Sequence, residues 1–183
     1  MTIEYDVRVN GTWLSTIGAA LYERRLPILP ESDESTLKLA GRDGELSFGS
    51  SYNPRRIEMT LLITSTPSEY HRTLALLARI FNGNRREVTV EFSDLPNRIY
   101  RAVYNGTLAP DGQVGSRMVN VSLKANDPWP ESTEKVTEVT ISHSPEITFI
   151  TSNGDVQAEP AIVLTNIGTN TIRNFRITNE YTI

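Results

Sequence analysis

Two histidines, His71 and His143, are the chain's entire stock of imidazoles, and its 183 residues include no cysteine. The missing thiols remove disulfides, cysteine-ligated zinc, iron–sulfur clusters and thiol nucleophiles together. Neither histidine has a second at metal-ligand spacing, so the sequence implies no metal site and no cofactor. A serine nucleophile of the hydrolase kind needs a sharp turn to present it, and no Gly-x-Ser-x-Gly elbow occurs. Carboxylate pairs for glycoside hydrolysis are defined by their separation in space, and no stretch here nominates one. The chain reads as a non-enzyme.

One compact motif still demands assignment: Gly41-Arg-Asp-Gly44, set between Leu37, Leu39 and Leu46, Phe48. As a phosphate loop it lacks a following Lys-Ser/Thr, and it leads into alternating residues rather than a helix N-terminus. As a cell-attachment signal it has the wrong residue order. The tip of a β-hairpin fits: glycine at either end permits the φ angles of the turn, and Arg42 and Asp43 are free to face solvent or a partner. Both flanks alternate, as in strands with one buried face.

The elements around that hairpin are mostly strands. Tyr5, Val7 and Val9 alternate up to Asn10-Gly11, a pair suited to a tight turn. Ile57, Met59, Leu61 and Ile63 form a second alternating run, Val88, Val90 and Phe92 a third, and Val119, Val121 and Leu123 a fourth. Between the last two lies 99–104, closed by Asn105-Gly106. The stretch from Thr66 to Gly83 instead repeats with helical spacing, through Tyr70, Leu74, Leu77 and Phe81. It predicts a helix over 67–82, with Thr66 and Glu69 as a capping box, Pro67 in the first turn, Arg79 in the last and Asn82-Gly83 as a left-handed stop. Such a helix plugs a sheet.

Composition shifts at Asn126-Asp-Pro-Trp-Pro-Glu-Ser132, where two prolines cannot continue a central strand. The expected organisation is a domain over 1–130 and a second β domain over 131–183, with short strands at Val136, Val139 and Ile141, 147–150, 161–164 and 172–177. About fifty residues is little for an independent sandwich, so the second domain reads as incomplete, either cut or completed by neighbours. The overall expectation is a mainly β protein: a β-sandwich with one packed helix, followed by a partial second sandwich.

Charge narrows the partners. The formal net charge is −4, so no cationic surplus argues for tight nucleic-acid binding. The pairs Arg55-Arg56 and Arg85-Arg86 read as solvated strand ends. Asn10-Gly-Thr, Asn105-Gly-Thr and Asn120-Val-Ser match glycosylation acceptors but serve equally as turns and polar strand positions. The acidic start is unlike a secretory leader, and 13–22 is too short and polar to span a bilayer, so no membrane partner is expected and synthesis in a cytoplasm is.

The order of elements resembles the distal tail protein (Dit) family of long, flexible-tailed bacteriophages. The resemblance is carried by Pro27-Ile-Leu-Pro30, the Gly-Arg-Asp-Gly turn, Tyr52-Asn-Pro-Arg-Arg-Ile57 opening a strand, the capped helix, Leu95-Pro-Asn-Arg-Ile-Tyr100 and Ala125-Asn-Asp-Pro-Trp129. It covers roughly residues 1–130, and Asn153-Gly-Asp-Val-Gln-Ala-Glu-Pro160 resembles the opening of that family's C-terminal galectin-like domain. What it implies is a structural virion protein with a tail-tube-like fold, made in a host bacterial cytoplasm and placed at the tail tip. It implies partners: copies of itself in a six-fold ring, the tail tube protein, the tail hub or tail-associated protein, and receptor-binding or baseplate proteins. DNA passes through such a ring without specific binding. This chain departs from the family in being short after Trp129, which puts outer docking in doubt.

Sheet edges and long hairpins suit ring closure because a neighbour can satisfy their unpaired backbone groups. The expected subunit contact is therefore 37–48 with 52–56, namely Leu39, Arg42, Asp43, Leu46, Phe48, Tyr52, Arg55 and Arg56. Two other readings stay open here. A tail-tube subunit would share the first domain but leaves the Pro-Trp-Pro linker unexplained. A carbohydrate-binding module would use Trp13, Tyr22, Tyr52, Tyr100 and Tyr104 as a sugar platform.

Overall fold

The computed structural model describes residues 5–82, 86–112, 115–151, 154, 160–178 and 180. Its first half opens with β1 (Val7–Val9) and β2 (Thr12–Trp13), joined by the expected tight turn with Asn10 and Gly11 both at positive φ. A 3-10 turn (Leu14–Ile17) leads into β3 (Ala19–Arg25), followed by β4 (Ser32–Leu37), β5 (Leu46–Tyr52) and β6 (Arg55–Ile63). Helix α1 (Tyr70–Asn82) precedes β7 (Val88–Phe92), β8 (Ile99–Tyr104), β9 (Ala109–Pro110) and β10 (Met118–Ala125).

All pairings are antiparallel, in the order β2-β1-β7-β8-β10-β6-β3, with β9 alongside β10. The path is thin at one place: β8 meets β10 only through Tyr104–Leu123 and Val103–Lys124. On either side of that seam, strict alternation directs side chains into one core. Val7, Val9, Val88, Val90, Phe92, Tyr100 and Ala102 come from one half, and Ile57, Met59, Leu61, Ile63, Val119, Val121 and Leu123 from the other. Across the layers, Arg24 of β3 makes two 2.7 Å hydrogen bonds to Asp94, just past β7, and lies 4.4 Å from the Phe92 ring centre. The Arg24 hydrogen bonds hold the Asp94 carboxyl below its ordinary value.

Helix α1 buries Leu77 and Phe81 in that core, while Tyr70 and Leu74 pack partly against it. It starts later than expected. Residues 67–69 form a turn, and the Thr66 hydroxyl meets the Glu69 carboxylate at 2.9 Å instead of making the reciprocal backbone bonds of a capping box. The expected glycine stop at Gly83, with Arg85, lies outside the described residues. Thr73, unpredicted as a core residue, is buried because its hydroxyl bonds Ser65 at 3.0 Å and the Ile17 carbonyl at 3.3 Å. Gly18 completes this junction: its carbonyl accepts from the N–H groups of Thr64 and Ser65, and its φ is +84°.

The chain divides into two compact units, Met1–Glu138 and Val139–Ile183. Within the second, the described residues carry no helix or strand, so the short strands expected at Ile141, 147–150, 161–164 and 172–177 are not formed there. Ile147, Phe149, Val163 and Phe175 stand exposed. A short apolar run can favour a strand, but the strand persists only when its apolar face is covered. Most of 153–160 lies outside the described residues.

Candidate subunit-contact arm

Strands β4 and β5 pair with each other and, among the described residues, with no other strand. Residues 38–45, including Gly41-Arg-Asp-Gly44, make the tip, so the motif sits at the end of a hairpin as its sequence implies. At roughly 3.4 Å per residue, the seven residues of β5 alone reach about 20 Å. Register slips once, where Phe48 and Gly49 of β5 oppose Ser35 alone; Gly49, at φ +105°, permits that bulge and the extra twist it brings. Past the bulge, Leu37 pairs with Leu46, and Phe48 follows two residues on along the same face.

The expectation of one buried face fails for this hairpin. Phe48 is 67% exposed, Leu37 48% and Leu39 41%, and no residue of either strand is buried. The reason is geometric: among the described residues, this pair forms its own two-stranded sheet, and its apolar side stays exposed. Charge is uneven along it, with Glu31, Asp33, Glu34, Asp43 and Glu45 against Lys38 and Arg42. Burying one large side chain of this kind stabilises by roughly 1.5–3 kcal/mol, and the arm leaves several of them exposed.

Its root, by contrast, is built firmly. The Asn53 N–H donates to the Glu31 carbonyl at 2.7 Å, and its amide nitrogen donates to the Asp33 carboxylate at 2.9 Å. Arg55 is 4% exposed, against its reading as a solvated strand end. It opens β6 on the inward-facing register, opposite the small Ala125, with its guanidinium 5.6 Å from the Tyr100 ring centre and 5.8 Å from that of Trp129. Ring faces offer a cation electrostatic compensation that an aliphatic core would not. Its Nε nevertheless donates to no acceptor among the described residues. Tyr52, half exposed, meets Trp129 edge-on at 5.2 Å. In sequence Trp129 belongs to the proline-flanked linker, and nothing local there points to its contacts with Tyr52 and Arg55.

The remaining expected contact residues lie as an outer surface requires: Arg42, Asp43 and Arg56 are exposed and Leu46 is half-buried. His71 is exposed on α1 against Tyr70, and His143 pairs with Glu146 at 3.1 Å. Among the described residues, no His, Asp and Glu cluster could hold a metal ion, and no helix is long and apolar enough to cross a membrane. The aromatics form no platform: Tyr100 is buried, while Trp13 and Tyr22 lie on β2 and β3, at opposite ends of the strand order. An open recess on the outer face of β3, β6 and β10, lined by Glu23, Arg25, Glu58 and Asn120, already spends Asn120 on Thr60 at 3.0 Å.

The fold is shared with solved phage proteins. One is the Dit protein (gp 19.1) of phage SPP1, described as a paradigm of the hub adsorption apparatus in phages infecting Gram-positive hosts. It matches with a TM-score of 0.56 and 21% identity over 68% of this chain and 50% of that one. Another is a chain of the phage p2 baseplate in its activated conformation with strontium, with a TM-score of 0.53 and 9% identity over 68% of this chain and 45% of that one. This chain therefore spans about half the length of the solved chains it matches. No curated protein sequence matches it significantly. The phage tail protein RIFT-related domain matches residues 15–125, from the 3-10 turn through β10, and the chain accordingly belongs to that family of structural tail proteins, which are not enzymes.

Proposed function

We propose that this chain is a distal tail subunit, which closes with copies of itself into a six-fold ring at the tail tip. The ring joins the tail tube to the tail hub and the baseplate, and leaves a channel for DNA. The observation that carries the reading is the β4–β5 arm, on which Leu37, Leu39 and Phe48 stay exposed within their own chain. A closed ring needs a head-to-tail contact repeated at each subunit, and an arm of this length laid on a neighbour supplies one. Leu39, Arg42, Asp43, Leu46, Phe48, Tyr52 and Arg56 form the contact, and Arg55 supports it from the root, against the Trp129 ring that also meets Tyr52. A net charge of −4 suits a channel that lets phosphates slide past rather than holding them. The residues after Glu138, which form the second unit, lead towards the receptor-binding or baseplate proteins.

Particle mass in solution and class averages of stained particles test this together. Six-fold rings with a central hole are expected, and deleting residues 40–45 should abolish them while the sandwich stays folded. A chain that remains single at high concentration beside its tube protein contradicts the ring. Rings that form unchanged without the tip remove the arm from the contact.

A further inference from the structure

The chain leaves β10 after Ala125, loops outward, and returns to the sandwich at Glu131. There Ile99 and Glu131 exchange two backbone hydrogen bonds of 2.8 Å, and the Arg101 Nε donates to the Glu131 carboxylate at 2.8 Å. Glu131 raises the Arg101 pKa further above its ordinary value, as a paired cation's should be. Midway along the loop, the Trp129 N–H is turned onto the Asp127 carboxylate at 3.0 Å, and the indole packs against Tyr52 and the Arg55 guanidinium. Residues 127–131 thus form a strap, fastened at one end to β8 and crossing the root of the arm.

Tyr52 is the last residue of β5, and Arg55 is the first of β6. Both lie where the arm joins the sandwich, and the Trp129 ring touches both. The buried Nε of Arg55 without an acceptor marks this seat as held at some expense, since an unmade hydrogen bond on a charged group disfavours the closed arrangement. A seat of that kind is easier to lift than a saturated core.

We propose that strap and arm are one coupled element: Trp129 seated on Tyr52 and Arg55 fixes the direction in which the arm leaves the sandwich, and lifting the strap frees the arm to swing. Coupling of this kind is reciprocal. Docking the arm on a neighbouring copy favours the seated strap, and tension on the chain beyond residue 131 loosens the arm. Only this consequence for assembly rests on the arm being the ring contact; the coupling itself belongs to the single chain.

The absence of native cysteine makes the test clean. Spin labels at Asp43→Cys on the tip and Ala78→Cys on helix α1, in the dilute full-length chain, give a tip-to-sandwich distance distribution. Glu131→Gln weakens the strap's far fastening without touching Tyr52 or Arg55, and Trp129→Ala removes the seat. Both are expected to broaden the distribution about twofold, as an element freed from its anchor samples more poses, whereas Trp129→Phe retains the wild-type width. An unchanged width in Glu131→Gln overturns the coupling, even if Trp129→Ala fails to fold. Because the measurement is made on single chains, its failure leaves the ring reading standing, and loss of the ring leaves this result standing.

Discussion

Strands β6 and β10 and strands β4 and β5 are both antiparallel pairs with alternating apolar residues, yet they end in opposite environments. In β6–β10, eight residue pairs run without a slip, and every second side chain is buried. In β4–β5 the register slips once and nothing is buried. Alternation specifies a face; what covers that face is decided elsewhere, by the same chain for one pair and, in our proposal, by a second copy for the other. An isolated two-stranded hairpin is marginal in water. The arm survives as a strand pair because its root is bonded through Asn53 and leads directly into β6.

The contrast predicts that stability and assembly respond to different residues. Leu61→Ala, at a fully buried position of β6, should lower unfolding free energy by about 3 kcal/mol in urea titrations. Gly18→Ala comes next. Its φ of +84° disfavours a side chain, and the new Cβ would stand 2.8 Å from that of Ser65, so a loss of about 2 kcal/mol is expected.

Asp94→Asn should weaken folding by about 1 kcal/mol at neutral pH, since the pair is partly screened. It should also flatten the acid limb of the stability profile. The sign follows from the lowered carboxyl pKa: the ion pair's contribution is complete above the ordinary aspartate range, near 3.8, and is lost as pH falls through the depressed value. Thermal unfolding from pH 6 to pH 2 in both proteins reads the difference. Phe48→Ser should change stability least, within about 0.5 kcal/mol, because its ring already stands in water. If instead it destabilises the single chain as Leu61→Ala does, the arm is buried by its own chain and the contrast collapses.

Much of the sandwich was legible because period-two alternation is local: Ile57 to Ile63, Val88 to Phe92 and Val119 to Leu123 each declare an inner face. Strand β3 was not, since Ala19 and Ala20 carry no alternation and the pairing with β6 shifts between Leu21 and Glu23. Arg55 looked like a surface cation because its aromatic company, Tyr100 and Trp129, is brought together only by the fold. The hairpin itself was readable from Gly41-Arg-Asp-Gly44, but its exposure depends on what lies opposite, which no local pattern states. The same limit explains the second unit, where the apolar runs at 147–150 and 161–164 meet no covering layer among the described residues.

The central claim is that the arm's apolar face is a contact between copies and contributes almost nothing to the single fold. Sedimentation of the full chain beside a Leu37→Ser, Phe48→Ser variant at equal concentration tests it most directly. The account predicts a species six times the 20.5 kDa chain mass for the first and a folded single chain for the second. Identical masses for the two would contradict it.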